Sequence, residues 1–447
     1  MGSGELSAGA PRRPALALSL AGVGAEMNGT AIRASELARA LSAHAEVTLA
    51  ATGVEESLPG LNCVDFERHD PRALAPYLAD AGLVVAQPQW PLTMRALRRS
   101  GARLVFDLYA PDSLEALEYL SQSGGLVRRL VSGFTTDRLI DALRIGHHFL
   151  CASESQRDLW LGAMLAERII NPETYDRDPS FASVISVVPS GLPDEPPRAT
   201  PGAGVRSRFP EIAVSDKVVL WNGGLWNWLD PETAIRGAAI AHREDPSLRL
   251  VFMGASQRPA GQRAARAARE IAAQVGLPEG VVIFNDRWVP YAERASWLLE
   301  AECALSCHVD HLETRFAFRT RVLDCFWAGL PVVCTSGDTL AEEIERNDLG
   351  ATVPQRDPDA VAAGLLRVLR NGRAGYEERI RDFAGRYRWS RVAAPLIDQL
   401  TTRVPAEPVA EVPRRPSHAL RTAGYSAARS VLNRVGFGRD GLRILRS

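Results

Sequence analysis

Short apolar runs recur along the chain, separated by longer stretches in which apolar positions return at helical spacing. In the first half the runs are ALALSL (15–20), EVTLA (46–50), LVVAQ (83–87), RLVFDL (103–108), HHFLCAS (147–153) and SVISVVP (183–189). Continuous apolarity, rather than alternation, is what a strand covered on both faces requires. Between the first two runs lies a loop from Gly22 to Gly29, and after it Ile32, Leu37 and Leu41 mark a helix over 31–43 with Asn28 or Thr30 as a candidate cap. A β-loop-α unit repeated in this way predicts a parallel, doubly wound sheet.

The rhythm breaks at 191–203, GLPDEPPRATPGA, where Pro and Gly crowd together and no period survives, as in an interdomain crossing. It restarts with VVLWNGG (218–224), a helical stretch over 231–243, LRLVFMG (248–254), VVIFND (281–286), CALSCH (303–308) and PVVCT (331–335). The expected organisation is therefore α/β: two Rossmann-like doubly wound domains facing a cleft, over 14–195 and 205–385. A terminal helix at 386–403 is expected to pack across both, followed by a linker and basic tail over 404–447. In that tail, Leu420, Ala427, Val431 and Val435 fall on one side of a possible amphipathic helix within 417–435.

Length and composition sharpen this picture. A chain of 447 residues exceeds one ordinary core, and its 46% hydrophobic and 23% charged residues are those of a globular protein. The formal net charge of -1 hides an asymmetry: residues 414–447 hold eight arginines and one acid, so the remainder is acidic. Nothing basic enough for a nucleic-acid surface remains, and the tail arginines lack aromatic partners for base stacking. The tail fits peripheral contact with an anionic membrane, at residues 417–446, or a solubilising end. Lys217 is the only lysine, so any cationic anchor is almost always Arg. The six cysteines show no CxxC pair and sit in apolar runs, which suits a reducing, cytoplasmic setting. Arg12-Arg13 before PALALSLAGVGA imitates a twin-arginine signal, but that apolar run leads directly into the first loop and helix.

Candidate chemistry gathers at 313–333, ETRFAFRTRVLDCFWAGLPVV. Arg319 and Arg321, with Arg315 in reserve, stand just before an apolar helix, where backbone N–H groups already favour anions. A second candidate lies at FDLYAP (106–111), which puts Asp107 and Tyr109 at the C-terminal end of a strand, the edge where α/β sheets bind ligands. Trp221, Trp226 and Trp228 could stack on a sugar or base, although packing is the commoner use of such residues. DRD at 176–178 lies in a polar stretch without a preceding strand, and HVDH at 308–311 lacks a third ligand at a useful spacing, so no metal site is expected. No GxSxG, P-loop or HExxH occurs.

With these residues in place, the chain resembles GT-B glycosyltransferases of the retaining family 4 (group 1) type over roughly residues 14–400. The most specific piece is DCFWAGLPVV, similar to the family's Glu-Ala-x-x-x-Gly-x-Pro-Val-Val segment with Asp324 in the acid's place. The resemblance implies that Asp324 accepts hydrogen bonds from donor ribose hydroxyls. It also implies that Gly223 and Gly224 open a donor-phosphate loop, and that Gly24, in GVGAEMNGT (22–30), belongs to a loop leaning over the cleft. Glu313, Arg319 and Arg321 are then the candidate catalytic residues, and Asp107 and Tyr109 the acceptor side. Two departures stand out. The family's first acid would fall at Phe316, with Glu313 the nearest carboxylate, and the Arg and Lys that follow the glycine loop are missing from NGGLWNWLD. Arg319 and Arg321 are expected to supply that charge from the other side of the cleft. The implied function is transfer of a sugar from a nucleotide-sugar donor to a polysaccharide, lipid-linked glycan or glycoconjugate, without cofactor or metal and with retention. The alternatives are a non-catalytic sugar-nucleotide binding protein and a nucleotide-sugar epimerase.

Overall fold

The computed structural model describes residues 14–121, 124–226, 228–254 and 259–402. Arg12-Arg13 and the basic stretch 404–447, with its proposed membrane-contacting helix, lie outside the described residues. No described helix is long and apolar enough to cross a membrane.

Seven strands form the first sheet: β1 (Ala15–Ser19), β2 (Val47–Ala51), β3 (Asn62–Asp65), β4 (Leu83–Ala86), β5 (Arg103–Asp107), β6 (His148–Cys151) and β7 (Ile185–Val187). They lie in the order β3-β2-β1-β4-β5-β6-β7, each pair parallel. Six more form the second sheet: β8 (Lys217–Trp221), β9 (Leu248–Phe252), β10 (Val282–Phe284), β11 (Cys303–Ser306), β12 (Val332–Thr335) and β13 (Gly350–Val353). Their order is β10-β9-β8-β11-β12-β13, again parallel throughout. In both sheets the chain starts in the middle, runs to one edge and then jumps back. The loops that leave β1 and β8 therefore open at the switch point, where such sheets hold ligands.

Apolar runs located eleven of these strands, and β3 and β13 were missed for a shared reason. NCVD is a half-exposed edge strand, and GATV contributes little apolar length after its glycine. Gly350 is required by close approach, because a Cβ there would lie 2.0 Å from the Val332 carbonyl oxygen. The first loop and helix follow the expected pattern: Asn28 caps the helix Gly29–Ser42 by accepting from the Ala31 N–H at 3.0 Å.

One apolar cluster covers each face of the first sheet. The first gathers Leu16, Leu18, Phe106 and Phe149; the other joins Leu37, Leu41, Leu49 and Val105 to Trp389, Val392 and Leu396 from near the C-terminus. The chain thus leaves the first domain, builds the second around Trp221, Phe252 and Phe326, and returns. The two crossings touch: the Leu192 N–H donates to the Tyr387 carbonyl at 2.6 Å and the Trp389 N–H to the Leu192 carbonyl at 3.0 Å.

Candidate active site

The first-domain wall of the cleft is set by the end of β5. Asp107 is 2% exposed, and both its carboxylate oxygens accept from Arg33, Nε at 2.7 Å and Nη2 at 2.7 Å. Nη2 of Arg33 also donates to the Val188 carbonyl at 2.9 Å. Arg33 was not singled out from sequence, although a signal existed: it stands four residues before Leu37, on the apolar stripe of its helix, where an arginine needs a buried partner. The Asp107 carboxylate therefore sits behind Arg33 rather than open to the cleft. Tyr109 does reach across. Its ring lies 4.7 Å from the Arg33 guanidinium carbon and packs against the core of the second domain, with its hydroxyl near Thr320. Burial pushes that phenol up to about 12, so it stays protonated. A second tie comes from Gln156, whose Nε2 donates to the Tyr109 carbonyl and to the Phe316 carbonyl, both at 2.8 Å.

On the same wall, the helix Asp112–Tyr119 packs on the helix Leu312–Phe316 of the opposite domain. It carries Glu115, which sequence gave no reason to select. Burial first, then the nearby acids Asp112 and Glu313, push its carboxyl up to about 8 against the pull of Arg319. Gly24 lies in the loop after β1, where a Cβ would meet Glu55 Cβ at 3.1 Å, so its immediate constraint is loop packing. One residue on, the Ala25 carbonyl accepts from the Tyr291 N–H at 3.2 Å, which carries the loop over to the second domain.

The second-domain wall is built on the helix Thr320–Trp327 and the glycine loop after β8. Gly223 adopts φ +94°, a region that side chains disfavour. A Cβ there would sit 3.6 Å from the Arg321 guanidinium carbon, so the guanidinium lies against the loop, in the loop's own domain rather than on the other side of the cleft as expected. Arg321 Nη1 donates to the Gly224 carbonyl at 2.9 Å, and Asn222 Nδ2 donates back to the Arg321 carbonyl at 2.7 Å. Among the described residues Arg321 forms no ion pair with a carboxylate. Burial and then the charge of Arg319 lower it to about 10, which leaves it cationic at neutral pH.

Arg319, only two residues away, is caged. Its Nε meets Asp338 at 2.9 Å, while Nη2 meets Glu313 and Thr314 at 3.4 Å each. Asp338 also caps the next helix by accepting from the Ala341 N–H at 2.8 Å, so it is held from both sides. Glu313 is buried, with His311 Nδ1 3.7 Å from its second oxygen. Asp324 follows Arg321 by one turn. Arg294 Nε stands 3.5 Å from it, with the guanidinium carbon 3.6 Å from the Tyr291 ring centroid and 4.6 Å from that of Trp327. Burial raises the Asp324 carboxyl and Arg294 opposes the rise.

Of the residues selected from sequence, Tyr109, Gly223, Gly224, Glu313, Arg319 and Arg321 converge where the helix Thr320–Trp327 begins. Asp324 lies one turn beyond, Gly24 in the covering loop, and Asp107 behind Arg33. Asp178 of the DRD sequence accepts from Ser180 and Ser183 instead.

Residues 216–371 match the family model described as Glycosyl transferases group 1. That match falls on the second domain. The solved structures carry the likeness to the whole fold. Sucrose-phosphate synthase from Thermosynechococcus elongatus aligns over 86% of this chain and 97% of its own at 16% identity, with a TM-score of 0.57. HepE from Anabaena, in complex with UDP and glucose, aligns over 87% and 99% at 12% identity and a TM-score of 0.61. WaaG, a glycosyltransferase involved in lipopolysaccharide biosynthesis, aligns over 86% and 99% at 15% identity and a TM-score of 0.59. No curated protein compared with the chain matches it. The architecture is GT-B, and with the group 1 match it supports an enzyme of the glycosyltransferase type.

Proposed function

We propose that the protein transfers a sugar from a nucleotide-activated donor to a hydroxyl acceptor, with the nucleotide on the second domain and the acceptor against the first. The observation that carries this is Arg321: a half-buried cation with no carboxylate partner among the described residues, held on the glycine loop by the Gly224 carbonyl. As the bond between the anomeric carbon and the diphosphate breaks, negative charge grows on the phosphate oxygens, and stabilising it is the main catalytic task. Arg321 supplies the charge, and Gly223 lets the backbone approach. The acceptor oxygen bonds to the anomeric carbon as its proton passes to the leaving diphosphate, a course that retains configuration and needs neither metal nor side-chain base. Glu313, fixed by Arg319, is left to meet sugar hydroxyls, and Asp324 the ribose. HepE, of the same fold and solved in complex with UDP and glucose and with UDP-glucose, supports this choice of donor.

The test is a thermal-shift screen across nucleotide sugars, where a ligand at about 100 times its Kd adds roughly 2.7 kcal/mol. Arg321→Ala and Asp324→Ala are each expected to weaken donor binding by about 10- to 100-fold, the span for hydrogen bonds to charged groups, with unchanged circular dichroism. Unchanged affinity in both variants would refute the site. The caging of Arg319 favours one second reading, a binding module without turnover, because it leaves a single guanidinium for the diphosphate. Donor that binds but is neither transferred nor slowly hydrolysed would decide for it.

A further inference from the structure

This inference rests on the transfer reading and concerns the sugar end of the same donor. We infer that Trp226 and Trp228 form the wall against which the transferred sugar ring stacks. The two indoles lie parallel, with centroids 5.3 Å apart and planes 2° apart. Both are half-buried at the edge of the core cluster in which Trp221 is 0% exposed, so each packs on the core and keeps part of its surface outside it. Their segment is pinned at the switch point: Leu229 bridges to His308 and the Asp230 N–H donates to the Cys307 carbonyl at 2.9 Å. The pair therefore sits between the glycine loop and the segment that leads from β11 into Glu313.

The order of groups along the cleft supports this placement. Asp324 and Arg294 mark one end, Arg321 and Gly223–Gly224 follow one helical turn back, and the tryptophans continue from that loop to Leu229, which bridges to His308 on the segment leading to Glu313. A nucleotide at the first and a diphosphate at the second leave the sugar at the third. Flat apolar indole faces fit the C–H face of a pyranose, and stacking of this kind orients a ring without ionic contact. The stretch after the glycines, LWNWLD, carries two indoles and no Lys or Arg, so sugar selection there is shifted toward shape.

The experiment compares UDP, ADP and GDP with their glucose conjugates by titration calorimetry on the full chain, in wild type, Trp226→Ala, Trp228→Ala and the two Phe variants. Each Ala variant is expected to lose roughly tenfold in affinity for the nucleotide sugar. Its Kd for the matching nucleoside diphosphate is expected to stay within about twofold, and the Phe variants to keep most of the difference. Equal losses for diphosphate and conjugate, or no loss for either, would overturn the sugar wall while leaving the transfer reading intact. If the wild-type protein binds no nucleoside diphosphate or conjugate, the transfer reading itself falls, and this inference with it.

Discussion

The two walls of the cleft treat charge in opposite ways. On the first, Arg33 and Asp107 complete one another through two 2.7 Å bonds and are 1% and 2% exposed. On the second, Arg321 meets only a carbonyl, although Arg319 two residues earlier holds two carboxylates. Asp107 ends β5 of the first sheet, and Arg319 and Arg321 stand between β11 and β12 of the second. What separates a structural ion from a ligand-binding one is the number of counter-charges already in place, not its position in the cleft. A closed pair contributes rigidity and is costly to break; a guanidinium resting on a carbonyl can be claimed by an incoming anion.

The contrast can be broken at its strongest point first. Asp107→Ala leaves Arg33 buried without a counter-charge, and urea unfolding is expected to show a loss of about 3–5 kcal/mol, largely recovered when Arg33→Met is added. A loss below about 1 kcal/mol would mean that the first wall is not closed. Next comes pH. Glu115 has a folded value near 8 against an ordinary 4.5, so the stability its protonated form contributes is complete below the ordinary value and is lost as pH rises through about 8. Melting temperature measured from pH 5 to 9 should fall toward the alkaline end in the wild type and flatten in Glu115→Gln. An unchanged slope would remove Glu115 from the cleft's charge balance. The smallest effect is expected from Gly223→Ala. It forces a side chain into φ +94° for about 1–2 kcal/mol, and it should weaken nucleotide binding more than stability, because the strain falls on the loop that faces the phosphates.

Most of the fold was legible because strands buried on both faces announce themselves as unbroken apolar runs. The runs failed only at the edges, where β3 is half exposed and β13 opens on Gly350. The site was legible in part. Residues adjacent in sequence, such as Glu313, Arg319 and Arg321, could be chosen together because one local segment carries them. The partners that decide what each does come from afar: Asp338 for Arg319, Arg294 for Asp324, Arg33 for Asp107. Only Arg33 left a trace, as a charge on an apolar helical stripe. Glu115 and Gln156 act across the domain boundary, and no periodicity within either domain encodes that meeting.

The chain crosses between domains twice, and the two crossings are bonded to each other at Leu192, Tyr387 and Trp389, with Gly191 so near Trp389 that a Cβ would lie 2.4 Å from its ring. A single connecting strand would permit swivelling about many axes. A doubled, laced one restricts the lobes to flexing about that seam, so whatever enters the crevice meets jaws that hinge along one line.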